Sequence, residues 1–248
     1  MDFQALLSFE SLIALLTLTF LEVVLGIDNI IFISIVSNKL SEDQRARARN
    51  TGLLLALIFR IALLMGITWV IKFTQPLFTV LGHDFSGRDL ILAAGGLFLI
   101  FKSTMEVHHK IEGPAEHQQS GASATFLQVV LQIILLDIIF SFDSILTAIG
   151  LTEQVALMVI AVTIAMIIMM LFSGKISGFL NKHPTLEILA LSFLILIGFM
   201  LIVEALHYHV PKGYIYFAVF FSLLVEILNL KIRKKRNPLV LHKRMGDD

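Results

Sequence analysis

Residues 22–31 read EVVLGIDNII, and a second stretch, residues 137–146, reads DIIFSFDSIL. Each stretch carries two acids inside an otherwise apolar run, and the second acid is followed by Asn29 or Ser144. An ionised carboxylate within a bilayer costs several kcal/mol, so such acids face protein or water and usually mark a functional site. The two stretches therefore predict a membrane protein with a polar centre built by two related helices.

The composition supports a membrane protein. Hydrophobic residues make up 57% of the 248 residues and charged residues only 15%, whereas a soluble domain is about one quarter charged. The chain has no cysteine, so disulfides and thiolate metal ligands are excluded and a metal site must use oxygen or histidine. The first apolar stretch follows no basic segment and carries Glu22 and Asp28, which predicts a retained membrane helix rather than a cleaved signal peptide.

Seven stretches reach the length of about 20 mostly apolar residues that a membrane-spanning helix needs. They are residues 11–37, 52–72, 89–107, 125–150, 154–173, 186–207 and 213–231. The sequence thus predicts an all-α, polytopic membrane protein with seven transmembrane helices. Its transmembrane domain covers residues 1–231, and a basic tail of residues 232–248 lies in the cytoplasm. Residues 38–51 are expected to form a long basic loop.

The chain also has internal symmetry. Residues 22–31 align with 137–146, and the segment from Asp89 to Glu106 aligns with the one from Glu187 to Glu204. This predicts two three-helix repeats, about 11–107 and 125–207, followed by an extra helix at 213–231. Because three is odd, the second repeat enters the membrane from the opposite side, as in many transporters.

Lysine and arginine positions predict the orientation. With the N-terminus outside and the C-terminus in the cytoplasm, only Lys72, Arg88 and Lys212 among the basic residues flanking the spans lie outside. Arg60 falls inside the second span. It is expected to pair with a buried acid, to act as the counter-charge of the empty site, or to do both.

The polar residues of the two stretches predict an ion site. The candidate metal ligands are Glu22, Asp28, Asn29, Asp137, Asp143 and Ser144. Carboxylate, amide and hydroxyl oxygens suit hard dications such as Mg²⁺, Ca²⁺ and Mn²⁺. The same carboxylates can carry protons, which makes proton antiport a further prediction. The expected partners are a divalent ion, protons and the bilayer, with no permanently bound cofactor and no nucleic acid; homo-oligomerisation stays open.

Helix geometry leaves two arrangements for these ligands. At about 100° per residue, Glu22, Gly26 and Asn29 share one face, while Asp28 points about 120° away. The second stretch repeats this pattern. Either the acids line two walls of a cavity, or each helix unwinds near Gly26 and Ser141, as the broken helices of transporters do.

Other interpretations stay open for the polar residues. The buried acids could serve only helix packing. The acids at the span ends, Asp89, Glu187 and Glu204, could be solvated or could line the ion's path. Lys102 and Glu106 are predicted to form an ion pair on one helix. The histidine pairs 108–109 and 207–209 could collect metal, although polar loops are the simpler interpretation.

Two further function classes compete with transport. The first is a non-transporting scaffold, or a factor that delivers metal to exported proteins, which could dock partners on residues 107–123. The second is an intramembrane enzyme with paired carboxylates as acid and base. The enzyme is disfavoured because no leaving-group stabiliser is apparent, and the protein is predicted not to be one.

Residues 22–31 and 136–146 (LDIIFSFDSIL) resemble the paired signature segments of the TerC family of integral membrane proteins. The resemblance covers nearly the whole chain, and residues 88–101 and 211–221 resemble the small, single-domain bacterial members that lack cytoplasmic regulatory domains. The family is linked to tellurite resistance and to manganese export. The resemblance therefore implies a bacterial inner-membrane protein that moves Mn²⁺ outward through an acidic site on the six candidate ligands.

Overall fold

The computed structural model describes residues 8–80, 83–112, 124–152, 154–208 and 210–235, apart from the side chains of residues 27, 28, 80, 83, 212 and 233–235. The chain divides into two compact units, Met1–Val210 and Pro211–Asp248. The first unit contains all of the candidate site residues, and the second contains one long helix.

Seven long helices dominate the described residues, and all seven are long and apolar enough to cross a membrane. They are α1 (Phe9–Ser37), α2 (Glu42–Met65), α4 (Gly87–Glu112), α5 (Phe126–Ile149), α6 (Val155–Asn181), α7 (Pro184–Ala205) and α8 (Lys212–Lys235). A short helix, α3 (Ile67–Lys72), and an antiparallel hairpin of β1 (Pro76–Val80) and β2 (His83–Ser86) lie between α2 and α4. The predicted all-α, polytopic membrane fold is confirmed.

The helix boundaries follow local capping chemistry. The hydroxyl of Thr125 accepts a hydrogen bond from the backbone N–H of Gln128, whose side chain accepts one from the backbone N–H of Thr125, so α5 begins at a capping box. Ser8 caps α1 in a similar way by accepting from the backbone of Ser11. Pro184 is the first residue of α7, where its missing N–H leaves no hydrogen bond unmade.

The expected loop at residues 38–51 is wrong over most of its length, because α2 already begins at Glu42. Glu42 and Asp43 occupy the first helical turn, where acids interact favourably with the helix dipole. The alternating Arg and Ala residues that follow are good helix formers. The second predicted span is also divided, since α2 ends at Met65 and α3 begins after Gly66.

The outer surface of the first unit is apolar, while several charged side chains are buried. Phe20, Leu97 and Leu171 are more than 60% exposed, whereas Glu22 and Arg60 are 5% and 3% exposed. A soluble protein would show the opposite arrangement, and exposed apolar surface of this extent marks contact with lipid. This distribution places the polar centre inside a helical bundle with a lipid-compatible surface.

Helix packing in the first unit joins elements from the two predicted repeats. α4 packs most extensively on α7, α1 on α6, and α2 on α5. Exchanging the repeats converts the α1–α6 contact into the α5–α2 contact and leaves the α4–α7 contact unchanged. Two three-helix units related by a twofold axis would pack in this way.

Glycines allow a close contact between the backbones of α4 and α7. A Cβ at Gly96 would meet the carbonyl oxygen of Gly198, and a Cβ at Gly198 would lie 2.7 Å from the carbonyl oxygen of Gly96. Small residues let transmembrane helices approach until their backbones touch. This contact joins the third helix of one repeat to the third helix of the other.

The second unit is described by itself. Its helix α8 contains an apolar stretch, Gly213–Ile232, long enough to cross a membrane. The helix continues to Lys235, so the beginning of the predicted basic tail is helical. Residues 236–248 lie outside the described part of the chain.

Candidate ion-binding site

Three charged side chains from three helices meet at the middle of the first unit. Nη1 of Arg60, on α2, donates to Oε2 of Glu22, on α1, at 2.5 Å. Nη2 donates to Oδ1 of Asp137, on α5, at 2.9 Å. Glu22 and Asp137 occupy corresponding positions in the two quoted stretches, so the guanidinium bridges the two repeats.

The central group is almost completely enclosed. Glu22, Arg60 and Asp137 are 5%, 3% and 4% exposed. Burial of an ion pair costs desolvation energy that only good geometry and further hydrogen bonds offset, and removing one partner strands the others. With both acids ionised, the three groups carry one net negative charge, which favours an additional cation.

Ser141 completes the contacts of Arg60. Its hydroxyl accepts from Nε of Arg60 at 2.8 Å and donates to the backbone oxygen of Asp137, one turn earlier, at 2.5 Å. Ser141 shares a helix face with Asp137 but was not among the six predicted ligands. Its position four residues after an intramembrane acid was the available signal.

The helices that carry the two stretches are continuous. α1 runs through Gly26 and α5 runs through Ser141 without interruption, so the proposed unwinding at these residues is wrong. Continuous helices cannot turn all six candidate ligands toward one point. The structure places Asp143 in a separate cluster, where it contacts Arg88 rather than the group around Glu22 and Asp137.

The remaining candidate ligands differ in their surroundings. Asn29 is 6% exposed, and its Oδ1 has no hydrogen-bond partner among the described residues. Ser144 is 5% exposed, and its hydroxyl, in contrast to Oδ1 of Asn29, has a partner: it donates to the backbone oxygen of Ser141 at 3.5 Å. The side chain of Asp28 lies outside the described part of the structure, although its backbone belongs to α1.

Asp143 belongs to a second polar cluster, which we call the hairpin-end cluster because it lies beside the β-hairpin. Nη2 of Arg88 donates to Oδ1 of Asp143 at 3.1 Å and to Oε1 of Glu204 at 2.6 Å. The neighbouring Asp89 accepts from the hydroxyl of Ser86 at 2.6 Å, and its Oδ2 lies 3.0 Å from Nε2 of His207. Arg88 was not predicted to belong to a site, because a basic residue at the end of a span is ordinary.

A cavity opens beside this cluster. Its volume is about 440 Å³, and Arg88, Asp143, Glu204 and His207 are among the residues that line it. Asp89 and Glu204, two of the three acids predicted near span ends, thus lie in one cluster with the candidate ligand Asp143. A hydrated cation entering this end of the bundle would meet carboxylates.

Ion pairs also occupy the opposite end of the bundle, which we call the basic end. Lys39 pairs with Glu106. Lys110 donates to Glu187 at 2.9 Å, joining α4 to α7. Glu106 therefore pairs with Lys39, in the turn between α1 and α2, and not with Lys102 as predicted.

The histidine pairs lie in different environments. His108 and His109 belong to α4 rather than to a loop, and His108 contacts the exposed Glu112 at 3.3 Å. His207 faces Asp89, whereas His209 and residues 113–123 lie outside the described part of the chain. Within the described ranges, no three His, Asp or Glu side chains are grouped closely enough to hold a metal ion.

These features define a multi-pass membrane protein with an acidic, arginine-bridged centre between two related groups of helices. The chain belongs to the TerC family of integral membrane proteins, because the family model matches residues 7–237. No solved structure matches the chain.

Curated relatives agree with this family. The chain is 55% identical over 227 residues to UPF0053 inner membrane protein YgdQ of Escherichia coli (strain K12), covering 92% of this chain and 95% of that protein. It is 50% identical over 226 residues to a UPF0053 protein of Haemophilus influenzae, covering 91% and 95% of the two chains. It is also 48% identical over 221 residues to UPF0053 inner membrane protein YoaE of Escherichia coli (strain K12), covering 89% of this chain but only 43% of that protein. The protein is therefore a multi-pass inner-membrane protein.

Proposed function

We propose that this protein exports a hard divalent cation, with Mn²⁺ as the expected substrate, through the centre formed by Glu22 and Asp137. The observation that carries the proposal is the meeting of these two acids with Arg60 between them at the middle of the bundle. Carboxylates from two repeats at the mid-plane are where many transporters bind their ions. Their hard oxygen atoms suit Mn²⁺, Mg²⁺ and Ca²⁺.

Arg60 acts as a tethered counter-ion in this mechanism. A dication that binds Glu22 and Asp137 has to displace the guanidinium from at least one of them. When the dication leaves, Arg60 returns and neutralises one of the two negative charges. The empty protein can then change conformation without moving two unpaired carboxylates through a region of low dielectric constant.

The ion pairs at the two ends of the bundle act as gates. At the hairpin end, Arg88 links α4 to Asp143 of α5 and Glu204 of α7. At the basic end, Lys110 links α4 to Glu187 of α7. Opening one set while the other stays closed would expose the centre to one side at a time, which is the requirement of alternating access.

Direction and coupling complete the proposal. The basic end faces the cytoplasm, because Lys and Arg residues concentrate there and the positive-inside rule places them on that side. Mn²⁺ therefore enters between the helices at the basic end and leaves at the hairpin end. Protons returning through the same carboxylates would drive the export. The protein needs no enzymatic activity and no permanently bound cofactor for this cycle.

Efflux from manganese-loaded cells tests the proposal. Cells that express the wild-type protein should lose Mn²⁺ faster than cells that express Glu22→Gln or Asp137→Asn. Glu112→Gln is the matched control, because it makes the same chemical change on a side chain that is 66% exposed. Equal efflux from all variants, at equal amounts of folded protein in the membrane, would refute the role of the two acids.

A further inference from the structure

The two repeats use different side chains at one corresponding position. Gly26 of α1 and Ser141 of α5 align in the two quoted stretches. Ser141 contacts Arg60, which comes from α2, the second helix of the first repeat. Gly26 is instead approached by Met169, which comes from α6, the second helix of the second repeat. Met169 thus stands where the symmetry of the bundle would place a second arginine.

The sulfur of Met169 lies directly over the backbone of α1. A Cβ built on Gly26 would collide with Sδ and would lie 3.2 Å from Cε of the same methionine. Met169 is 1% exposed, so its side chain has no room to move away into solvent. Glycine at position 26 is therefore what allows the thioether to reach this helix.

The neighbouring polar groups point to a ligand at this place. Glu22, Gly26 and Asn29 share one face of α1, because residues three and four apart in a helix are neighbours on its surface. The sulfur over Gly26 consequently lies between the levels of Glu22 and Asn29. Oδ1 of Asn29 is buried and lacks a hydrogen-bond partner among the described residues, which is a costly arrangement unless something occupies the position.

We infer that Glu22, Asn29 and the thioether of Met169 form a subsite that selects first-row transition-metal dications over Mg²⁺ and Ca²⁺. The inference rests on the proposed function, since it gives the substrate class of the same centre. Carboxylate and amide oxygens bind all of these ions, but a soft thioether adds affinity only for the transition metals. A dication in the subsite displaces Arg60 from Glu22, while Arg60 keeps its contacts with Ser141 and Asp137 in the other half of the centre, so the subsite takes one dication per chain.

Replacement of the sulfur tests the subsite. Met169→Leu nearly keeps the side-chain volume and so the packing. We expect it to lower the affinity for Co²⁺ at least about tenfold, since even residues that only orient metal ligands contribute that much. The affinity for Ca²⁺ should change little. Met105→Leu is the control, because Met105 lies on α4 and its side chain is 43% exposed. This substitution should change neither affinity.

X-ray absorption at the cobalt edge gives an independent readout on the unmodified chain. Because the chain has no cysteine, a sulfur atom next to bound Co²⁺ can come only from methionine. The spectrum should contain a sulfur neighbour in the wild-type protein and lose it in Met169→Leu. Gly26→Ala should also remove it, because the added Cβ displaces Sδ. An all-oxygen environment in the wild-type protein would overturn the subsite.

The failure of the subsite can be separated from the failure of the proposed function. If the wild-type protein binds and transports no dication, the proposed function fails and the subsite fails with it. If the wild-type protein transports dications but Met169→Leu keeps the wild-type ratio of Co²⁺ to Ca²⁺ affinity, only the subsite is wrong.

Discussion

Replacing Arg60 with methionine would remove the guanidinium that joins the two repeats and would make the second half of the centre resemble the half that contains Met169. Three hydrogen bonds are lost, to Glu22 at 2.5 Å, to Asp137 at 2.9 Å and to Ser141 at 2.8 Å. The two carboxylates would stay buried without a cation. Breaking a buried ion pair by removing one partner costs about 3–5 kcal/mol.

Thermal unfolding of the purified protein in detergent measures this cost. About 3–5 kcal/mol corresponds to a decrease in Tm of about 6–20 °C for a chain of this size. Neutralising both acids in the same variant, with Glu22→Gln and Asp137→Asn, should recover most of the loss because no unpaired charge remains. Mn²⁺ should raise the Tm of Arg60→Met more than that of the wild type, since two free carboxylates bind a dication better.

The control for this prediction is Arg47→Met, which removes an exposed arginine from the same helix. A Tm of Arg60→Met within about 2 °C of the wild-type value would refute the reasoning, because a shift that small corresponds to less than about 1 kcal/mol. Failure of the two neutralising substitutions to restore the Tm would show that the loss comes from packing rather than from the stranded charges.

Two further predictions concern packing and orientation. Gly96→Ala should lower the Tm by several degrees, because its Cβ would meet the backbone of Gly198. Gly178→Ala is the control and should leave the Tm unchanged or raise it, because a Cβ at this position has no neighbour within 4 Å. Equal Tm values for the two variants would contradict the close contact of α4 and α7. Because the chain has no cysteine, single Glu42→Cys and Thr79→Cys variants can be labelled by an impermeant maleimide in whole cells. Labelling should occur at position 79 and not at 42, and the reverse pattern would invert the proposed topology.

The sequence predicts the elements that depend on local composition. Seven apolar stretches became seven long helices, since a span of about 20 apolar residues has few alternatives to a membrane helix. The burial of Glu22 and Asp137 inside the protein was also predictable, because an acid within such a stretch faces protein or water rather than lipid. Arg60 was predicted to pair with a buried acid, and the structure pairs it with both.

Features that depend on contacts between distant residues were not predictable from one sequence. Asp143 meets Arg88 and Glu204 because α5, α4 and α7 pack together, and nothing in the local sequence records that packing. Met169 was one of 9 methionines until its contact with Gly26 distinguished it. The hairpin was missed because its two strands are short and lie between strong helical signals.

Ion flux through purified protein in sealed vesicles tests the central claim most directly. With Mn²⁺ on one side only, vesicles that contain the wild-type protein should take up the ion well above the rate of protein-free vesicles, and the Asp137→Asn variant should reduce uptake toward that background. A dye that reports internal pH would show protons moving in the opposite direction. Wild-type vesicles that take up Mn²⁺ no faster than protein-free vesicles would contradict transport and would favour a scaffold or metal-delivery role.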